Sequence, residues 1–489
     1  MDFKSQSFDE CKFTLFDADL NISDKLFNLS DKTIAKDSEY MSILDEVKKI
    51  CKYINELCNV ENIYYLPHQI ELLCAIFQKD TLTSIYCFDH FWISKNSFMY
   101  LIELFSSKDL PEKLKWTLIR FFIEASFHVP DFSICLCSHS SAFNTVLNTF
   151  ADLPQSKKHF NDIFKLIFNL AFDGATFFPL TYISRITFNT FHKKTENINV
   201  KEKVSFFLMN LIRSLTAKNA IDIEHPETKK MILMLQKWFQ VKSQIVIEHM
   251  FWAFYFWYRN TSSFAPAFYE TFFFDVVMNQ INFNFDDDNG IINIPNKTCA
   301  TIAISLLSLS LSTDNNDYLF RIYNNLPIQN IISLIFNMNS DISEETKKNA
   351  IFLCSNYAAR GDKFIQNLLN LEFHIQILNT FNNFSFPLKT EFGYCITHMI
   401  YCGNQQQVNC FNTPEFVYLM NEFFDMQNDE LILRTLRSFC KLVELNSEVL
   451  NHIDQDYLEE IAKDSQLSDE AIFISQKFLS FFSNANNDL

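Results

Sequence analysis

A chain of 489 residues with a hydrophobic fraction of 48% and only 20% charged residues is too apolar for a disordered tail protein, and it is long enough for several domains or one extended repeat array. The net charge of −17 and pI near 5.1 exclude non-specific nucleic-acid binding and favour basic partners, although the same acidity also serves solubility. Five glycines and 11 prolines are too few for a hairpin-rich β fold, so an all-α chain is expected.

The opening MDFKSQSFDECK lacks the charged-then-apolar layout of a signal peptide. Residues 1–62 form an irregular N-terminal segment, in which a short helical pattern at Asp45–Cys58 would act as an N-terminal cap. From residue 63 to 489 the chain reads as short amphipathic helices. HQIELLCAIFQ begins at His68, and KWTLIRFFIEASF (Lys115–Phe127) carries a continuous apolar stripe at helical spacing. DELILRTLRSFCKLVEL (Asp429–Leu445) opens on acids, as a helix N-terminus prefers, and spaces Leu431, Leu433, Leu436, Phe439 and Leu442 by two to three residues. The longest fully apolar run, MFWAFYFWY (Met250–Tyr258), is about half of the ~20 residues that a membrane span needs, so no membrane span is expected. The 13 cysteines are odd in number and sit mostly in apolar windows, which predicts reduced, buried thiols in a chain of the cytoplasm and nucleus.

The chain repeats itself. Asn169, Asn356 and His398 are each followed five residues later by a glycine, at Gly174, Gly361 and Gly403. Each glycine is expected just past a helix, in the left-handed conformation that only glycine takes without cost. The same phase runs through Arg120, Asn169, Asn210, Phe256, Ser308, Asn356, His398 and Phe439, with successive separations of 49, 41, 46, 52, 48, 42 and 41 residues. Such periods match armadillo and HEAT units, and about nine or ten repeats are expected. The longer separations hold insertions, among them FDDDNG (Phe285–Gly290), whose Asp286, Asp287 and Asp288 read first as a solvated loop and second as an attractor for a basic partner. Helices this short cannot bury their apolar faces alone, so stacking into a right-handed superhelical solenoid with a concave groove is predicted.

At this point the residues resemble a family. NLAFDGATFFPL (Asn169–Leu180) is similar to the third armadillo repeat of importin-alpha. KKNAIFLCSNYAARGDKFIQNLL (Lys347–Leu369) is similar to the eighth, VSFFLMNLIRSLTAKN (Val204–Asn219) to the fourth, and HMFWAFYFWYRN (His249–Asn260) to the fifth. The resemblance spans about residues 65–480. It implies an all-α armadillo solenoid that binds extended basic protein segments, such as nuclear localisation signals, for import into the nucleus. In that family the groove-lining helices carry Trp, three residues, then Asn. Indole faces hold aliphatic lysine stems with cation–π attraction, and each Asn amide offers a donor and an acceptor to the peptide backbone.

Carried over residue by residue, the match is partial. Trp116 keeps the indole, but Arg120 stands for Asn. Asn169 is kept, but Lys165 stands for Trp. Asn210 is kept, with Phe206 for Trp. Trp252 has the phase to reach the groove. The sixth repeat has Ile304 and Ser308, the next keeps Phe352 and Asn356, and the one after has Tyr394 and His398. The peptide-binding set is therefore Trp116, Asn169, Phe206, Asn210, Trp252, Phe352, Asn356 and Tyr394. The ordinary role for the asparagines is capping or bonding between repeats. The family also implies an importin-beta-type carrier docked through a basic N-terminal segment. The first 60 residues here hold no arginine and many acids, so docking by that route is not expected.

No cofactor, metal or enzymatic constellation stands out. CLCSH (Cys135–His139) has ligand residue types without a second pair at zinc spacing, and reads as buried thiols. His68, His90 and His128 read as satisfied structural histidines. Two rivals remain: an armadillo scaffold without a transport role, which predicts a mixed or apolar field over Asn169, Asn210 and Asn356 where an import adaptor predicts an acidic one, and a HEAT-like regulatory subunit, which predicts two-helix units.

Overall fold

The computed structural model describes residues 38–57, 60–78, 96–107, 109–128, 130–152, 159–192, 198–218, 222, 225–260, 273–282, 284–286, 291–294, 296–313, 315–337, 342–426 and 428–485. The positions read as one repeat phase all fall on long helices. In chain order these helices are α1 (Leu66–Phe77), α2 (Glu112–His128), α3 (Phe160–Asp173), α4 (Ile198–Ala217), α5 (Gln244–Asn260), α6 (Lys297–Ser310), α7 (Glu344–Ala358), α8 (Phe386–Cys402), α9 (Asp429–Leu445) and α10 (Asp469–Ala485). Ten such helices among the described residues agree with the nine or ten repeats read from the period.

The chain divides into two compact units, residues 1–238 and 239–489. In the first, α1 packs on α2, α2 on α3, and α3 on α4, while Ser38–Glu56 packs on α1 and Asn96–Phe105. Pro130–Ser138 and Ser140–Asp152 cover α3, which completes a three-helix unit. In the second, α5 to α10 pack each on the next. Here the triplets are plain: Asn316–Asn325, Ile328–Phe336 and α7, then Asp362–Asn370, Phe373–Thr380 and α8. Ile328–Phe336, Phe373–Thr380 and Pro414–Asn421 form a second row, each packed on its neighbour. Three helices per unit, not two, set this all-α repeat solenoid apart from the HEAT arrangement.

Local chemistry starts these helices and the stack holds them. The Ser343 hydroxyl accepts the Thr346 N–H ahead of α7, and Glu344 and Glu345 occupy the first turn. Asn428 does the same for Leu431 ahead of α9, and Asn296 for Cys299 ahead of α6. Helix C-termini are satisfied by the following repeat. Lys218 Nζ donates to Asp173 O at 2.9 Å, Arg360 Nη1 to Thr313 O at 3.0 Å, and Lys441 Nζ to Tyr401 O and Gly403 O at 2.9 and 2.8 Å. A cation placed there also opposes the negative end of the helix dipole. Between the helices lie fully buried rings, including Phe121, Phe122, Phe207 and Tyr357. Each such side chain contributes about 1.5–3 kcal/mol on leaving water, an amount available only once a neighbouring helix covers it.

Three expectations change. Of the three phased glycines only Gly361 takes positive φ, at 98°, where it precedes Asp362–Asn370. Gly174 and Gly403 have φ of −97° and −74°. Their reason is close approach: an added Cβ would lie 2.6 Å from Cys137 Sγ at Gly174 and 2.6 Å from Met399 O at Gly403. The inserted acidic stretch is flanked by a small antiparallel pair, β1 (Asn284–Asp286) and β2 (Ile291–Asn293), with Phe285 opposite Ile292, so one hairpin interrupts the helices. Asp287 and Asp288 lie outside the described residues. His68 is exposed on α1 rather than buried, while His90 and the side chain of His128 fall outside the described set. Among the described residues no helix is long and apolar enough to cross a membrane.

Candidate peptide-binding surface

The phase positions bring side chains of neighbouring long helices together, and each rung differs. On α2 and α3, Trp116 is half-buried and stacks flat on His159, with centroids 4.1 Å apart at 13°. One turn on, the exposed Arg120 approaches Asp162 at 4.0 Å. Asn169 Nδ2 donates to Ile123 O and Ser126 Oγ, both at 3.1 Å. Its amide hydrogens thus tie α3 to α2. Beside this rung opens a cavity of 320 Å³ lined by Glu71, Cys74, Arg120, Glu124, Asp162 and Lys165 among others. Three carboxylates and two cations there make a mixed field. Burial, reinforced by Glu124 and Glu71, pushes the Cys74 thiol up to about 12, so it stays protonated.

Between α3 and α4, Phe206 stacks on Phe168 at 5.2 Å and 12°. Asn210 is buried and its Nδ2 donates back to Phe206 O at 2.9 Å within its own helix. On α5, the buried set Phe251, Ala253, Phe254, Tyr255, Trp257 and Tyr258 is core. Trp252 and Phe256 stay half-buried and stacked at 5.6 Å and 24°. They are one turn apart, so helical geometry places both rings on the same face.

Between α6 and α7, Ile304 and Ser308 are buried, and Asn356 Nδ2 donates to Ser308 O at 3.2 Å and Ser308 Oγ at 2.9 Å. Phe352 lies one turn earlier, half-buried. On α8 the tyrosine standing for Trp is buried: Tyr394 donates its O–H to Asn428 Oδ1 at 2.7 Å, and the Arg434 guanidinium lies 5.5 Å above its ring. Arg434 is held by Glu430 Oε1 at 3.0 and 2.6 Å and bonds His398 Nε2. A guanidinium can only donate, so His398 is neutral with Nε2 accepting. Its proton sits on Nδ1, 2.8 Å from Ser355 Oγ. Burial and then the Arg434 charge push this histidine down to about 4.

The structure therefore places every residue of the predicted set on a long helix, but it gives most of them partners within the chain. Sequence reasoning missed Phe168, His159 and Arg434. Phe168 and His159 carry no motif. Glu430 and Arg434, four residues apart at the start of α9, form a spacing that could have flagged a structured arginine. Around CLCSH, Cys137 is buried against Gly174, and the half-buried Cys135 contacts Met99 Sδ at 3.8 Å.

No family profile matches this sequence, and no curated protein does either. Solved structures do match in shape. An engineered protein superposes with TM-score 0.63 at 12% identity, covering 88% of this chain and 98% of its own. That likeness shows the fold alone. A structure from a study of the interaction between cadherin and beta-catenin gives TM-score 0.47 at 12% identity over 93% of this chain and 99% of its own. Computationally designed armadillo repeat proteins for modular peptide recognition give 0.40 at 15% identity over 54% and 99%.

Proposed function

We propose that this chain is an armadillo-type interaction protein that binds an extended segment of a partner protein along the exposed faces of its long helices. The observation that carries this reading is the half-buried ring stacks on the long helices of each unit: Trp116 on His159 and Phe206 on Phe168 in the first, and Trp252 on Phe256 in the second. Parallel helices with flat apolar surfaces at a fixed register suit a chain in extended conformation, whose side chains also recur at a fixed rise. The role is recognition without chemistry.

Three features favour a scaffold with its own partner over an import adaptor for basic signals. Arg120 and Lys165 stand exposed where a lysine-rich ligand would lie. The amide hydrogens of Asn169, Asn210 and Asn356 already bond within the chain. The Tyr394 ring faces the chain's own Arg434. The adaptor reading, with nuclear import of basic cargo between cytoplasm and nucleus, is favoured by the Trp252–Phe256 pair and by the net charge of −17. Fluorescence anisotropy of a labelled lysine-rich localisation peptide, at two salt concentrations, separates them. Salt-sensitive micromolar binding that Trp252→Ala weakens supports the adaptor. An absence of binding at physiological salt leaves the scaffold.

A further inference from the structure

The middles of α5, α6 and α7 carry no charged side chain: none stands in residues 250–258, 298–310 or 349–358. We infer that the face these three helices form binds an uncharged extended protein segment, with aliphatic or aromatic side chains at alternate positions and hydroxyl or amide side chains between them. This rests on the reading that the long-helix faces bind extended segments, and it names the partner class for the second unit.

α6 packs on both α5 and α7 and so lies between them. Thr301, Ser305 and Leu309 recur at four-residue spacing and share one face of α6. Ser305 is buried, while Thr301 and Leu309 are half-buried. The Ser305 hydroxyl donates to Thr301 O at 3.0 Å, and Thr301 Oγ1 lies 2.7 Å from Thr346 Oγ1 of α7. Each hydroxyl oxygen keeps a lone pair for a backbone N–H of a docked segment. The flanking helices carry larger groups at one repeat position: Trp252 stacked with Phe256 on α5, and Phe352 on α7, all half-buried. Small hydroxyl side chains between rings make an uncharged strip. Neighbouring helix axes lie about 8–10 Å apart, so about six extended residues at about 3.3 Å each cross from α5 to α7.

The charges of these helices stand towards their ends and balance. With histidine counted neutral, four cations (Arg259, Lys297, Lys347 and Lys348) meet three carboxylates (Glu248, Glu344 and Glu345), so no field of either sign builds up. Three of the seven are bonded across to other elements: Glu248 Oε1 accepts from Asn296 Nδ2 at 3.0 Å, Lys347 Nζ donates to Asn337 O at 2.8 Å, and Glu344 Oε1 accepts from Ser385 Oγ at 2.7 Å. A lysine laid over Trp252 gains cation–π attraction, but Glu248, the carboxylate one turn away, already holds Asn296, and Arg259 stands on the same face of α5. A charged side chain over the strip therefore gives up hydration without meeting a free opposite charge, whereas apolar, hydroxyl and amide side chains give up far less. Other rungs differ: Arg120 and Glu124 stand in the middle of α2, Lys165 in α3, and Arg434 and Arg437 in α9.

The test uses the full chain and three labelled peptides of about eight residues, which alternate Tyr with Gln, with Lys or with Glu, read by anisotropy at two salt concentrations. The expected result is tightest binding of the Gln peptide, with an affinity that salt changes by less than about twofold. It should fall by about tenfold in Trp252→Ala and in Phe352→Ala and persist in Trp252→Phe. Trp116→Ala in the first unit leaves it unchanged. Thr301→Glu, at a half-buried site, should reverse the order in favour of the Lys peptide, a gain that a loss of folding does not produce. Tighter binding of either charged peptide by the wild type, or Gln-peptide binding that follows Trp116 instead of Trp252 and Phe352, overturns the inference and leaves the extended-segment reading standing. If no peptide binds, both fall.

Discussion

His398 offers a quantitative handle on the second unit. It is packed between Ser355 and Arg434, and it is held down to about 4 by burial and the arginine charge. An unfolded chain returns it to about 6.5. The folded value is the lower one, so the unfolded state takes up the proton first. The stabilisation is fully present above about pH 6.5 and is lost as pH falls from there towards about pH 4. The full difference corresponds to about 3 kcal/mol, of which about 1.2 kcal/mol is lost between pH 7 and pH 5.5. That upper part of the window stays above the isoelectric point of 5.1, where aggregation would intervene. The assay is urea denaturation of the wild type and His398→Gln at both pH values, since the variant removes this titration while the other groups remain. The wild type should lose about 1.2 kcal/mol more than the variant. Histidine NMR supplies the direct check: among 11 histidines, the signal missing from the variant should not titrate above pH 5. Parallel pH profiles for the two proteins, or a His398 signal titrating near pH 6.5, would refute the reasoning.

Other expectations rest on the same contacts. Asn356→Ala removes two hydrogen bonds to Ser308 and leaves a buried gap, and should lower stability by about 1–3 kcal/mol in denaturation. Asn169→Ala, at a half-buried rung, should cost less by the same measurement. Gly174→Ala drives a methyl into Cys137 Sγ and should cost about 1–3 kcal/mol, whereas Gly361→Ala meets no neighbour and should cost about 1 kcal/mol through its positive φ alone. Thiol labelling of the native protein should modify the exposed Cys410 well before the buried Cys354 and Cys395, whose thiols burial pushes far up; equal rates would contradict the packing of α7 on α8.

Much of the fold was readable in the residues. The phase from Arg120 to Phe439 needed only self-similarity, and it landed on eight consecutive long helices because each repeat must present the same apolar face to its neighbour. The β1–β2 hairpin was not readable: FDDDNG looks like a solvated loop, and pairing Phe285 with Ile292 depends on where the flanking helices deliver the two strands. The glycines misled in an instructive way. Equal spacing suggested equal conformation, yet only Gly361 needs positive φ. The others are small because Cys137 and Met399 press on them, and no local pattern reports such pressure.

The sequence by itself determined the helical class, the repeat period, the long helices and the candidate rungs, because those depend on residues within a turn or two of each other and on a periodicity that survives substitution. The tertiary structure alone decided what each rung side chain does. Asn169 meets Ser126 across 43 residues, Asn356 meets Ser308 across 48, and His398 meets Arg434 across 36. An amide or an aromatic ring has the same one-letter code whether it faces a ligand or the next repeat, and only the packing of one helix on another selects between the two.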